Sequence, residues 1–333
     1  MQVVEFTPRR EQYVWTFGGA EPVMEVDPGT ALTLWTEDAF AGRVTSRDDR
    51  PSQVLNPKEL NPQTGPFYVR GAEPGDTLAL HVVSLTPARD WAASTTIPLF
   101  GALTGTDRTA GLQPPLPELT WIYTVDRATD TALFTAHQSD FELRVPLAPM
   151  LGTVGVAPAL REVRTTLVPD YFGGNMDTPE LHAGTTVYLG VNVEGALFSI
   201  GDGHYRQGEG ETCGTALEGA MDVTLIVDLI KGNAPAWPRL EHDDALLTVG
   251  SARPLEDAWR CSQVEMVRWL VELYGLGELD AYQLCSQLCR SPLANVVDVN
   301  YSAVTKIAKA LLPESNPYAG MHSSLRSRGA LLH

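Results

Sequence analysis

The chain has 333 residues, 44% hydrophobic and 20% charged, with a formal net charge of −17. That length suits two or three folding units with a sizeable core and no need of disulfide staples. The excess of acids argues against nucleic acid and anionic membrane surfaces as partners, since phosphate recognition needs clustered Lys and Arg; a neutral or cationic small substrate, or a bound divalent cation, suits it better.

The N-terminal stretch MQVVEFTPRREQYVW lacks the apolar core of a signal peptide, and no segment approaches the ~20 apolar residues of a spanning helix, which points to the cytoplasm. Strands dominate the first two thirds. Asp27-Pro28-Gly29 is a turn signal before an alternating strand, Thr30–Trp35, and Glu73-Pro74-Gly75 precedes a second, Asp76–Ser84. Asn56–Gly65 and Gly101–Pro117 read as long loops. Thr185–Val193 is strand-like, Glu194-Gly195 reads as a turn, and Ala196–Ile200 as the returning arm of a hairpin. Met221–Leu229 alternates again. The last third changes period. Pro254–Gly275 carries Leu255, Trp259, Met266, Leu270 and Leu273 at helical spacing, with proline at the start and glycine as a stop. Leu279–Cys289 reads as a second helix and Ala294–Val299 as a short strand. The chain thus divides into an N-terminal β part (1–165), a central β part (166–253), a helical α+β part (254–312) and a loose tail (313–333).

Several chemistries are absent from the sequence. No phosphate-binding GxxxxGK[ST] loop, dinucleotide fingerprint, GxSxG elbow or HExxH is present. The four cysteines form no CxxC pair, so free thiols in a reducing compartment are expected rather than a thiolate zinc site. Carboxylates and histidines remain. In GDGHYRQGEGE (201–211), Asp202 and His204 are two apart, which puts both on one side of an extended chain, and a hard oxygen beside an imidazole suits zinc, manganese or a mixed site. Glu209 and Glu211 offer a further ligand and a general base. Taken alone, such a glycine-rich polar stretch is more often a hairpin loop. The same holds for FGGNMDTPEL (172–181), where Asn175 and Asp177 give two oxygen donors or merely cap a turn. WTEDAF (35–40), with Glu37 and Asp38, reads by default as a solvated turn.

Read in order, WTEDAFAGRV, NPQTGPFYVRGAEPGDTL, PMLGTVGVAP, GGNMD with its following strands and GDGH, QGEGETCGTALE, AYQLCS and VVD resemble the acetamidase/formamidase family from about Trp35 to Ile307. The resemblance implies a mainly β fold of sandwich- or barrel-like interlocked subdomains with a smaller α+β C-terminal part. It implies hydrolysis of a short linear amide to carboxylate and ammonia, a divalent metal (zinc, with calcium or manganese as alternatives) and a homo-oligomer, dimer or higher. Carried over residue by residue, Asp38, Asp177, Asp202 and His204 would hold metal. Glu211 or Glu209 would act as base beside Asp202 and His204, and Asn175, Gln207, Arg206 and Tyr205 would meet substrate; Glu218 is a further candidate. Five positions depart from the family pattern: Tyr205 and Arg206 stand where small residues are common, Glu209 where Asp is usual, and Tyr171 and Phe172 where more polar residues are frequent. Tyr205, Arg206 and Glu209 raise two alternatives, a non-catalytic metal- or ligand-binding member and a hydrolase of a ureido or carboxylated amide, for which Arg206 would pair with the substrate.

Overall fold

Alternation along Met221–Ile230 sets the centre of the architecture. Met221, Val223, Leu225 and Val227 turn into the main core, while Ile226 faces the opposite side of the sheet. In the computed structural model, which describes residues 1–104 and 114–332, this strand lies antiparallel to both Ala31–Thr36 and Thr77–Pro87. Around it runs a nine-stranded sheet in the order Val3–Phe6, Ala31–Thr36, Met221–Ile230, Thr77–Pro87, Thr186–Gly190, Arg239–Glu241, Ala245–Ala252, Tyr301–Ala308, Leu293–Asn295. Its strands come from all three of the units expected in the sequence. The boundaries at 165 and 253 therefore fall within one interlocked sheet.

The core face of this sheet meets a five-stranded sheet ordered Gly173–Asn175, Met150–Gly155, Phe198–His204, Gln63–Val69, Met24–Val26. Met150–Gly155 and Phe198–His204 are buried along their whole length, so the polar side chains they carry are inside the protein. A four-stranded meander, Trp91–Thr95, Thr120–Asp126, Thr131–Thr135 and Glu142–Pro146, stands beside them. The other face of the large sheet is covered by helices. Leu255–Tyr274 packs Met266, Trp269 and Leu270 on Leu246 and Ile307, each such side chain stabilising by roughly 1.5–3 kcal/mol. Gly275 ends that helix at φ 62°, donating its N–H to Val271. Glu278–Leu288 follows. No helix among the described residues is long and apolar enough to cross a membrane.

Three sequence expectations are corrected. Thr186–Gly190 and Phe198–His204 are not a hairpin: the first pairs within the large sheet and the second within the five-stranded one. Gly195, Ala196 and Leu197, all at positive φ, carry the chain across between the two. The tail is not loose. It forms Met321–Gly329, whose Leu325 is buried against Ala31, Ala79, Tyr188 and Ile226. The strand expected over Ala294–Val299 is only Leu293–Asn295, because the chain then bends to return Asp298 inward. The loop Gly101–Pro117 lies partly outside the described residues.

Candidate active site

Adjacent buried strands bring the two motifs together. Thr153 is the register partner of both Asn175 and Gly201, so GGN and GDGH flank one strand. Gly173 and Gly174 sit at φ 88° and 87° with backbone carbonyls 2.4 Å from where a Cβ would be, so only glycine lets this strand approach. Asp177, Asp202, Glu211 and Asn61 all adopt left-handed φ of 45–61°. Non-glycine residues held there are a feature of functional sites.

The result is a buried cluster. Asp177, Asp202 and His204 each present a ligand atom within 4.8 Å of the other two, and His204, Glu211 and Glu218 do the same. His204 Nε2 lies 3.3 Å from Asp202 Oδ1 and 3.2 Å from Glu218 Oε2. On its other side Nδ1 is 2.9 Å from Gln207 Oε1. The Gln207 amide orientation follows from its Nε2, which donates to the carbonyls of Asp177 and Ala294. Its Oε1 therefore accepts from Nδ1–H, and Nε2 is the nitrogen turned to the acids. Asn175 donates from Nδ2 to Asp177 and Asp298, and accepts at Oδ1 from Asn61 and Thr153. Asn295 donates to the same two carboxylates, 3.0 Å from each.

The electrostatics are those of too many acids. Burial, then repulsion from Glu211, Asp298 and Asp202, holds Asp177 well above the usual carboxylate range. Burial likewise lifts Glu211, and Glu218 and Asp298 add to it against the pull of His204. Burial carries Asp298 up to about 7 and raises Glu218 despite His204. For Asp202, burial is outweighed by the charge and hydrogen bond of His204, and its carboxyl stays low. Burial disfavours a charge on His204, but Glu218 and Asp202 prevail and its pKa is well above the ordinary value.

These donors fit a divalent cation. Asp177 Oδ1 is buried with no hydrogen-bond partner, and buried polar atoms are rarely left so; Glu218 Oε2 faces only the His204 ring, at 3.2 Å. A Cβ at Gly152 would lie 2.6 Å from Asp177 Oδ1 and from Asp202 Oδ2, so glycine keeps this point clear. Carboxylate oxygens with one imidazole suit zinc or manganese. Gln207, Asn175 and Asn295 are the outer partners that orient such ligands. Phe40, Leu60, Ile97 and Phe100 help wall a cavity of about 300 Å³ over the cluster.

Of the residues singled out in the sequence, Asp177, Asp202, His204, Asn175 and Glu211 converge here, and Glu218 joins them. Asp38 does not. Its Oδ1 accepts from the Phe40 and Gly42 amides and its Oδ2 from Arg89, so its charge is already matched. Glu209 is exposed and stands outside the cluster. Tyr205 is fully buried and points away, its hydroxyl donating to Ala220 O at 2.6 Å and its ring covering Gly219; it is a packing residue, not a substrate contact. Asn175 and Gln207 border cavities, yet their amides are spent on the acids, His204 and backbone, so they position rather than bind. Arg206 lines a neighbouring cavity. Reasoning from the sequence missed Asp298, Asn295, Asn61 and Thr153 as site residues. Asn295 and Asp298 lie more than 110 residues from Asp177, and although VVD, which contains Asp298, is among the blocks of the resemblance, nothing local marks either residue as a ligand or its support.

Fold and site together define a mainly β protein with a buried centre of carboxylates around one imidazole. The chain belongs to the acetamidase/formamidase family, whose model matches residues 18–161 and 147–309. It superposes on the crystal structure of an acetamidase from Yersinia enterocolitica with a TM-score of 0.88 and 38% identity, over 94% of this chain and 93% of that one. It is 25% identical to an acetamidase from Mycolicibacterium smegmatis over 70% of this chain and 69% of the relative. With a formamidase from Methylophilus methylotrophus it shares 26% over 62% of this chain and 61% of the relative.

Proposed function

We propose that this amidohydrolase cleaves the C–N bond of a linear amide, releasing carboxylate and ammonia, with a divalent ion held by Asp177, Asp202, His204 and Glu218. The observation that carries the reading is the meeting of two three-donor sets at His204 in the wall of one cavity, in a chain of this family. When bound, such an ion polarises an amide carbonyl and acidifies water toward neutral pH. The chain's own groups do the rest. Gln207 fixes the His204 ring so that Nε2 faces the acids. Asn175 and Asn295 hold Asp177 and Asp298 in place. Glu211, which borders both the inner and the neighbouring cavity, takes a proton from the water that adds to the amide carbon and passes it to the nitrogen as the C–N bond breaks, a role typically worth ~10²–10⁴-fold. Apolar walls keep bulk water from the acids.

Zinc is the first choice of ion, with manganese or calcium as alternatives. The four free cysteines support a cytoplasmic setting. Exposed Leu143 on the Glu142–Pro146 edge strand and exposed Phe141 just before it support a homo-oligomer.

The test is metal analysis of the purified protein together with ammonia release from formamide, acetamide and propionamide, before and after chelation. Activity lost with the metal and regained on adding zinc, manganese or calcium is the expected result. Full activity without metal would remove the ion from the reading, and bound metal without ammonia from any amide would favour a binding protein.

A further inference from the structure

We infer that the preferred amides are longer than acetamide and end in a carboxylate, which Arg206 receives in a second cavity beside the reaction centre. The inference rests on the amidase reading above and specifies its substrate. A cavity of about 450 Å³ lies against the inner one of about 300 Å³, and the two share Ile97, Phe100, Glu211 and Thr215 as wall. Pockets of ~300–1,000 Å³ hold ligands far larger than formamide or acetamide. The inner cavity alone exceeds what a two-carbon amide fills, and the outer one accommodates the rest of a longer chain.

The outer wall is mainly apolar, through Leu116, Tyr123 and Leu217 among others, and Arg206 is the only lysine or arginine among the described residues of either lining. Arg206 Nη1 donates to Pro146 O at 2.9 Å. No ion pair engages the guanidinium among the described residues, so other donors of its fork remain for a ligand. A planar fork of this kind takes a carboxylate in paired hydrogen bonds. The side chain starts from a fixed point. Tyr205 N–H donates to Leu217 O and Leu217 N–H to Arg206 O, at 2.8 and 3.0 Å, and the Tyr205 ring is locked in the core. The strand Phe198–His204 ends there and the chain bends at Tyr205, so His204 lines the inner cavity and Arg206 the outer one. The anionic end is thus held apart from the buried acids, while the apolar middle of the substrate lies along the shared wall.

The experiment measures steady-state ammonia release by the metal-loaded enzyme from acetamide, hexanamide and the monoamides of succinic, glutaric and adipic acids. At least one of the three carboxylated amides is expected to exceed hexanamide in kcat/KM, and hexanamide to exceed acetamide. In Arg206→Ala, the advantage of the carboxylated amide over hexanamide falls about 10- to 100-fold, mainly through KM. Arg206→Lys restores part of it, and the hexanamide-to-acetamide ratio is the internal control. Acetamide turnover with no gain from chain length or carboxylate overturns the inference and leaves the amidase reading standing. So does an Arg206→Ala effect that is equal on all substrates. Turnover of none of the five sinks the amidase reading, and this inference with it.

Discussion

Two buried clusters in this protein are made of the same residue types and come to opposite ends. Under the helix Leu255–Tyr274, Arg239 donates from Nε to Glu265 at 2.7 Å and from both terminal nitrogens to Glu272 at 2.6 and 2.9 Å. Its guanidinium lies 5.1 Å from the Trp269 ring centroid and 5.9 Å from that of Tyr318. A cation there answers the acids. At the other cluster Asp177, Asp202, Glu211, Glu218 and Asp298 surround one imidazole, and no lysine or arginine lines the cavity among the described residues. The difference teaches how to separate a structural ion network from a site: count the charges, since a buried oxygen without a hydrogen bond occurs in both, at Glu265 Oε2 as at Asp177 Oδ1. Asp38 is instructive because family resemblance put it in the second group. Arg89, whose guanidinium also bridges to Glu37, puts it in the first.

The largest effect expected is on activity. Asp177→Asn should lower kcat by at least about 10²–10⁴-fold, while the metal-free variant unfolds no sooner than metal-free wild type, since burial and the neighbouring acids already disfavour its charge. A clear loss of metal-free Tm would mean that Asp177 belongs to a balanced network after all. Arg239→Met should do the reverse. It leaves buried Glu265 with only Arg268 Nη1, 3.7 Å away, and costs about 3–5 kcal/mol by denaturant titration, while activity per folded molecule is retained. Gln207→Ala should weaken metal affinity about 10- to 100-fold, measured by competition with a chromophoric chelator. Unaltered affinity would show that His204 needs no outer partner.

Histidines sharpen the comparison through pH. Burial, with His322 nearby, depresses His81 to about 4, and burial depresses His242 to about 4. Both folded values lie below the ordinary value near 6.5. The unfolded chain therefore takes up protons first as pH falls, and their contribution, complete above about 6.5, is lost between about 6.5 and 4. The Tm of metal-loaded protein should drop across that window, and less steeply in His81→Gln. Smallest is Tyr205→Phe, which removes the bond to Ala220 O at a cost of about 1 kcal/mol and leaves KM for acetamide unchanged. A shifted KM would return Tyr205 to the substrate pocket.

Much of this was legible before the fold was known. Period-2 spacing correctly put Asp202 and His204 side by side, and helical spacing with Gly275 as a stop bounded the long helix to within a residue. These are local regularities, and local geometry enforces them. What failed was long-range. Thr185–Val193 and Ala196–Ile200 look like a hairpin because both are strand-like and a Glu-Gly turn lies between them. Ala196 and Leu197 instead take positive φ, and the chain changes sheets there. Asp298 reaches the centre only because Leu293–Asn295 edges the large sheet and the chain folds back after it. The docked tail helix escaped because Leu325 alone of its apolar residues is fully buried, too few for a periodic signal.

Gly152 has a consequence of a different order. Its backbone would accept alanine, since its φ lies outside the left-handed region, but the added methyl would sit between Asp177 and Asp202. At 2.6 Å from each it would push the two carboxylates off the place proposed for the ion, while the outer cavity, which neither of them lines, stays as it is. Such a protein would be an inert cast of the enzyme, able to hold its amides without consuming them, and so a means of fishing the physiological substrate from a mixture.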